Sequence, residues 1–222
     1  MNTTLEKDHY IAPLKYDWLT SFYDTLLRLT LREKTFKRRL IQQANIAPHH
    51  RVLDLGCGTA TLTLLIKQLH PRAEVVGLDG DARALDIARS KIAQTGVEIA
   101  LKRGLSHEMD FPDNAFDRVV SSLVFHHLTT ENKRRTLREV FRVLNPGGAL
   151  HVADWGKAQN VAMRGAFLLV QMLDGFATTT ENVQGKLPDY FREAGFANVR
   201  ETRRYTTVFG TLSLYAAMRV KQ

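Results

Sequence analysis

Residues Arg51–Leu62 read RVLDLGCGTATL. The apolar run Val52-Leu53-Asp54-Leu55 stops at Gly56-Cys57-Gly58, and a helical pattern follows in which Leu62, Leu64, Leu65, Ile66 and Leu69 share a face. Strand, glycine turn, helix is the geometry in which a backbone approaches a nucleotide-like ligand closely. A Cβ at Gly56 or Gly58 would clash with that ligand or forbid the φ/ψ of the turn. Tight strand-to-helix turns need glycine for structural reasons as well, so the loop alone leaves both readings open.

The next acid sharpens the choice. Glu74-Val75-Val76-Gly77-Leu78-Asp79 has the pattern of a second apolar strand ending in a carboxylate. Roughly 20 residues after the glycines, Asp79 is placed to accept both ribose hydroxyls of an adenosine. A dinucleotide site asks for G-x-G-x-x-G/A, and the last of those positions is Thr61 here. A dinucleotide also brings a pyrophosphate to the helix N-terminus, where Asp54 would add an unhelpful negative charge. Asp54 suits a cationic ligand, such as the sulfonium and ammonium groups of S-adenosylmethionine. The pair favours S-adenosylmethionine over NAD.

Four stretches then fall in a familiar order and spacing: VLDLGCGTATLT, VVGLDGDARALDIAR, FPDNAFDRVVSSLVFHHL and LREVFRVLNPGGALHVADW. They resemble the class I S-adenosylmethionine-dependent methyltransferases, in particular the small-molecule branch that includes ubiquinone/menaquinone C-methyltransferases. The resemblance covers about residues 50–156. It implies a Rossmann-like α/β fold: a doubly wound, mostly parallel seven-stranded sheet with an antiparallel C-terminal hairpin and an N-terminal helical lid. It also implies roles. Gly56 and Gly58 admit the cofactor backbone, Asp54 helps seat the methionine moiety, Asp79 holds the ribose, and Gly80 and Ser121 join the cofactor contacts. Relatives carry a Tyr-Asp pair in a segment covering the methionine end, which points to Tyr16. Gly104-Leu105-Ser106 stands where the family usually has Gly-Asp-Ala, its acid accepting the adenine amino group. Leu105 can pack on the adenine face and its backbone can bond the ring, while Ser106 is the candidate to replace the missing side-chain contact.

Around this centre the chain divides into a lid segment, 1–46, and a cofactor-binding domain, 47–222, with a substrate-covering insert at about 157–186. Pro13 argues against a regular helix in residues 1–15, whereas Leu19, Phe22, Leu26, Leu29, Phe36, Leu40 and Ile41 recur at helical spacing up to Ala44. Asp81 to Gln94 has the caps of a helix, with Gly96 past its end. Val97–Leu101 is expected as the third strand and Arg118–Ser121 as the fourth. A helix from Glu131 to Leu144 should stop at Asn145-Pro146-Gly147-Gly148, followed by a fifth strand, Ala149–Ala153, with Asp154-Trp155 at its ligand-facing end. Met163, Phe167, Met172 and Phe176 form an apolar stripe that serves either the core or a substrate-covering helix. A short helix, Leu187–Ala194, precedes two alternating strands, Phe196–Tyr205 and Thr211–Arg219.

At 222 residues, 44% hydrophobic and 24% charged, the chain suits one well-buried globular domain. A single cysteine, Cys57, rules out an internal disulfide and a cysteine-rich zinc site, and fits a reducing cytoplasm. MNTTLEKDHY is no secretory signal, and no apolar stretch reaches the roughly 18–20 residues of a membrane span. The net charge of +8 concentrates in RLTLREKTFKRR (28–39) and KRRTLREVFR (133–142). Both are expected as solvated helix faces, with a surface for an anionic lipid or substrate, or for nucleic acid, as the alternatives. No recognisable nucleic-acid-binding module accompanies them.

A sulfonium methyl group is already activated, so the protein must align the acceptor, exclude water and sometimes remove a proton. A base, where one is needed, is most naturally a histidine. His126 and, less directly, His127 lie just beyond the fourth strand, on the methyl-transfer side; His151, inside a strand, is expected to be structural. No third ligand stands at metal spacing from the histidine pair, and neither a G-x-S-x-G elbow nor a P-loop occurs. The expectation is a methyltransferase acting on a small, apolar, quinone-, lipid- or natural-product-like molecule. The alternatives are an RNA methyltransferase, a non-catalytic S-adenosylmethionine-binding regulator, and an NAD-dependent oxidoreductase.

Overall fold

The apolar residues ahead of Gly56 form β1 (Arg51–Leu55), the strand around which the sheet is laid out. The structure, a computed structural model, describes residues 33–159, 163–165, 167, 168, 171, 176–207 and 210–221. β1 is buried at every residue but the first and pairs in parallel with β2 (Glu74–Asp79) on one side and β4 (Phe116–Ser122) on the other. β3 (Ala100–Arg103) extends the sheet beyond β2, and β5 (Leu144–Trp155) extends it beyond β4, both in parallel. The hairpin of β6 (Ala197–Thr207) and β7 (Gly210–Met218) closes the far edge, β7 lying antiparallel to both β5 and β6. The strand order is β3-β2-β1-β4-β5-β7-β6. The chain winds outward from β1 in one direction and then in the other, so the reversal falls between β1 and β4, where open α/β sheets bind ligands.

Alternation along the strands sends successive side chains to opposite faces, and each face builds its own core. Leu53 and Leu55 pack with Leu137 and Val140 of α4 (Thr130–Val143) and with Leu187, Tyr190 and Phe191 of α6 (Leu187–Glu193). Val52, Val75 and Val120 pack with Phe36, Leu40 and Ile41 of α1 (Glu33–Ala44) and with Leu62 and Ile66 of α2 (Thr61–Leu69). α3 (Ala82–Ala93) starts at Asp81, whose carboxylate accepts from the N–H groups of Arg83 and Ala84, and the chain turns away at Gly96 with φ +67°. α5 (Phe176–Val183) packs on β5 and on the short 3-10 turn Phe125–His127.

Three expectations change. The third strand begins at Ala100 rather than Val97, because its pairing with β2 starts at Val76↔Ala100. The fifth strand begins at Leu144, since Leu144 pairs with Phe116 and the Gly147-Gly148 turn is held by Arg219 through Gly147 N–H→Arg219 O and Arg219 N–H→Gly148 O. The basic stretches are not uniformly solvated: Lys133 is 0% exposed and Lys37 is buried too. α1, the described end of the expected lid segment, packs on the sheet; residues 1–32, Tyr16 among them, lie outside the described residues. So do Met172 and the side chain of Phe176.

Candidate functional site

The glycine loop is anchored to the neighbouring strand. Gly56 N–H and Cys57 N–H both donate to the Leu78 carbonyl at 2.8 and 3.0 Å, which draws the loop over the end of β2. Both glycines have positive φ, +70° at Gly56 and +52° at Gly58, but a side chain would meet different surroundings at the two. A Cβ on Gly56 would stand 2.3 Å from Cγ2 of Val124, whereas one on Gly58 would meet no protein atom within 4 Å. Gly56 therefore serves the contact between the loop and the β4–α4 turn, and Gly58 faces open space where a ligand backbone fits.

Asp79 ends β2 beside that opening. One carboxylate oxygen accepts from Gly58 N–H at 2.7 Å and the other from Asp81 N–H at 2.9 Å. These bonds hold the carboxylate in place while each oxygen keeps a second lone pair, the arrangement two ribose hydroxyls require. Gly80 lies against Leu105, where a Cβ would be 3.5 Å from Leu105 Cδ2. Leu105 itself is 37% exposed and offers an apolar wall next to Asp79.

Asp54 lies beneath the loop instead of in its mouth. It is 1% exposed, and its carboxylate accepts from Thr63 Oγ at 2.6 Å. Burial pushes its pKa up to about 6, with the Thr63 hydrogen bond and the charge of Lys37 opposing and the nearby Asp79 reinforcing. Ser121 is fully buried and donates to the Leu55 carbonyl at 3.0 Å, so its hydroxyl ties β4 to β1. Ser106 shares a hydrogen bond with Thr136 of α4 at 2.9 Å, in which either hydroxyl can donate. Cys57 is buried, and burial raises its thiol well above the ordinary range.

At the ends of β4 and β5 the organising group is Asp154, which the sequence placed at the ligand end of a strand without giving it a role. One oxygen accepts from the N–H groups of Val124 and Phe125 at 3.1 and 2.8 Å. The other meets His126 Nδ1 at 2.9 Å, Trp155 N–H at 2.7 Å and Asn182 Nδ2 at 3.2 Å. Burial alone would raise the Asp154 pKa, but His126, the Trp155 N–H and His127 outweigh it and the carboxyl stays below its ordinary value. An ionised, acceptor-only carboxylate fixes the imidazole tautomer: Nδ1 carries the proton and Nε2 is the basic nitrogen. His126 is 4% exposed, and the Trp155 ring lies edge to face with it at 6.4 Å. His127 is a different case. Burial and the adjacent His126 lower it to about 3, so it stays neutral near pH 7. Burial likewise lowers His151 to about 3, helped by Arg118 and Arg200. Among the described residues no three His, Cys, Asp or Glu side chains group as metal ligands.

Residues 52–148 match the family described as "Methyltransferase domain". A demethylmenaquinone methyltransferase of Listeria monocytogenes is 30% identical over 210 residues, covering 86% of this chain and 85% of that protein. One from Symbiobacterium thermophilum is 27% identical over 246 residues, covering 98% and 95%. The chain belongs to the class I S-adenosylmethionine-dependent methyltransferases. A solved S-adenosylmethionine-dependent methyltransferase from Aquifex aeolicus shares the fold at a TM-score of 0.62 and 19% identity, over 83% of this chain and 89% of that one. As a methyltransferase of this class the protein takes S-adenosylmethionine as cofactor and a small molecule as acceptor. The residues present fit that cofactor: open space at Gly58, a pinned carboxylate at Asp79, and the Gly80–Leu105 wall.

Proposed function

We propose that this methyltransferase acts on a hydroxyl-bearing aromatic molecule of the quinol kind, and that His126 is its general base. The observation that carries the reading is the buried Asp154–His126 pair, 2.9 Å apart, at the ligand end of β5. The names of the relatives support the acceptor class.

When bound, S-adenosylmethionine supplies an activated sulfonium methyl group, which leaves alignment, water exclusion and proton removal to the protein. Asp79 holds the ribose, Gly56 and Gly58 shape the loop, and Gly80 and Leu105 flank the adenine. Asp54 acts from beneath the loop, its negative charge felt through a low-dielectric layer by the cationic methionine end. Asp154 orients His126 and stabilises the imidazolium as Nε2 takes the acceptor's hydroxyl proton. The electrons released let a ring carbon bond the methyl carbon as its bond to sulfur breaks. Once the methyl group is on the ring, the hydrogen of that ring carbon leaves as a proton and the His126 imidazolium returns its proton to the oxygen, restoring the aromatic ring with one proton released overall. The paired basic residues favour a small acceptor over RNA: Lys133 is engaged with the Thr178 carbonyl and Glu181, and Arg142 with Glu139 and Asp113.

The test is turnover of a short-chain demethylmenaquinol by His126→Asn and Asp154→Asn, alongside calorimetric titration of S-adenosylhomocysteine. Loss of a positioned base lowers kcat by about 10²–10⁴-fold, with cofactor affinity retained in His126→Asn. Turnover at the wild-type rate in His126→Asn would remove the base from the reading.

A further inference from the structure

Asn182 sits on α5 with 1% of its surface exposed. Its amide can face Asp154 in only one sense. The Asp154 carboxylate accepts hydrogen bonds and offers none, so the nitrogen, 3.2 Å from Oδ1 of Asp154, must point toward it and the amide oxygen away. That oxygen, Asn182 Oδ1, is buried and has no hydrogen-bond partner among the described residues. Buried side-chain acceptors are rarely left so, and one beside a candidate base is poised for a donor that arrives with a ligand.

We propose that Asn182 is a specificity-determining residue, its Oδ1 accepting from a hydroxyl of the methyl acceptor and thereby selecting the reduced, hydroxyl-bearing ring over the oxidised quinone. The inference rests on the quinol reading above. A quinol presents an O–H to Oδ1. A quinone presents a carbonyl oxygen, so two acceptors would face one another in a dry site with no proton between them. The selection matches the chemistry, because the quinol ring is electron-rich and attacks a methyl group, whereas the quinone ring is electron-poor. The orientation of Asn182 is also insulated from the base. The N–H groups of Val124, Phe125 and Trp155 hold Asp154 independently, so loss of Asn182 leaves the Asp154–His126 pair in place.

The experiment is anaerobic calorimetric titration of menadiol and of menadione into the S-adenosylhomocysteine complex of wild type and of Asn182→Leu. Wild type should bind menadiol about tenfold more tightly than menadione, and the variant should discriminate by no more than about twofold. S-adenosylhomocysteine affinity and the pH dependence of turnover should be unchanged. Should Asn182→Leu not fold, Asn182→Ala carries the same comparison. Discrimination that persists in the variant, or is absent from wild type, overturns the role of Asn182 and leaves the quinol reading standing. Wild type that binds neither compound overturns the quinol reading and this proposal with it.

Discussion

Replacing Asp54 by asparagine should stabilise the fold at neutral pH while weakening cofactor binding. Asp54 is shielded from water, and its pKa is raised from 3.8 to about 6, chiefly by burial. For an acid shifted upward the sign is unambiguous. Between about pH 4 and pH 6 the unfolded chain has released this proton and the folded chain still holds it, so stability falls as pH rises through that window. Above pH 6 the whole penalty is present, about 3 kcal/mol at ~1.4 kcal/mol per pH unit. At pH 4.5 it is only about 1 kcal/mol. Asparagine removes the charge and keeps one hydrogen bond to Thr63, leaving a buried amide atom that costs about 1 kcal/mol. The variant should therefore match wild type at pH 4.5 and exceed it by about 2 kcal/mol at pH 7.5. Urea unfolding followed by tryptophan fluorescence at both pH values measures the difference. A gap that is the same at both pH values, or a variant less stable than wild type at pH 7.5, would mean that Asp54 carries no buried charge that opposes folding. S-adenosylmethionine affinity, measured on the same samples at pH 7.5, should drop because the negative charge under the methionine end is gone.

The two loop glycines should separate stability from binding. Gly56→Ala forces a Cβ to 2.3 Å from Val124 Cγ2 at φ +70° and should lose about 3 kcal/mol of stability in urea unfolding. Gly58→Ala meets nothing within 4 Å and should lose only about 1 kcal/mol, yet bind the cofactor more weakly in calorimetry. Asp154→Ala strips an acceptor from three backbone N–H groups, His126 and Asn182, and should lower stability by about 3 kcal/mol or more. His127→Gln should leave the pH dependence of kcat unchanged, since His127 titrates near 3, below the range over which turnover is followed.

What the sequence disclosed was local or periodic. VLDL followed by glycines specifies a strand and a turn within a few residues, and Asp79 at the end of EVVGLD follows from the same rule. The caps of α3 and the alternation of the C-terminal hairpin are local as well. The beginnings of β3 and β5 were not legible, because they are set by pairing with Val76 and Phe116, which lie far away in the chain. Lys133 looked like one more solvated cation in KRRTLREVFR until Thr178 and Glu181, on a different helix, came to meet it. The partners of the Ser121 and Ser106 hydroxyls, the Leu55 carbonyl and Thr136, lie far from them in the chain and could not be read from spacing. Asp154 is the clearest case. Its donors come from the β4–α4 turn, from its own strand and from α5, and no spacing rule gathers them. Asn182, in a helix of modest pattern, gave no signal at all.

Asp79 and the glycine loop are the proposed seat of S-adenosylmethionine. Calorimetric titration of S-adenosylmethionine into wild type and Asp79→Ala tests it most directly, with the melting temperature of each protein recorded in parallel. Wild type should bind, and affinity should fall at least about tenfold in Asp79→Ala, as two charge-assisted hydrogen bonds to the ribose are lost. Equal affinity in the two proteins would mean that Asp79 does not hold the ribose.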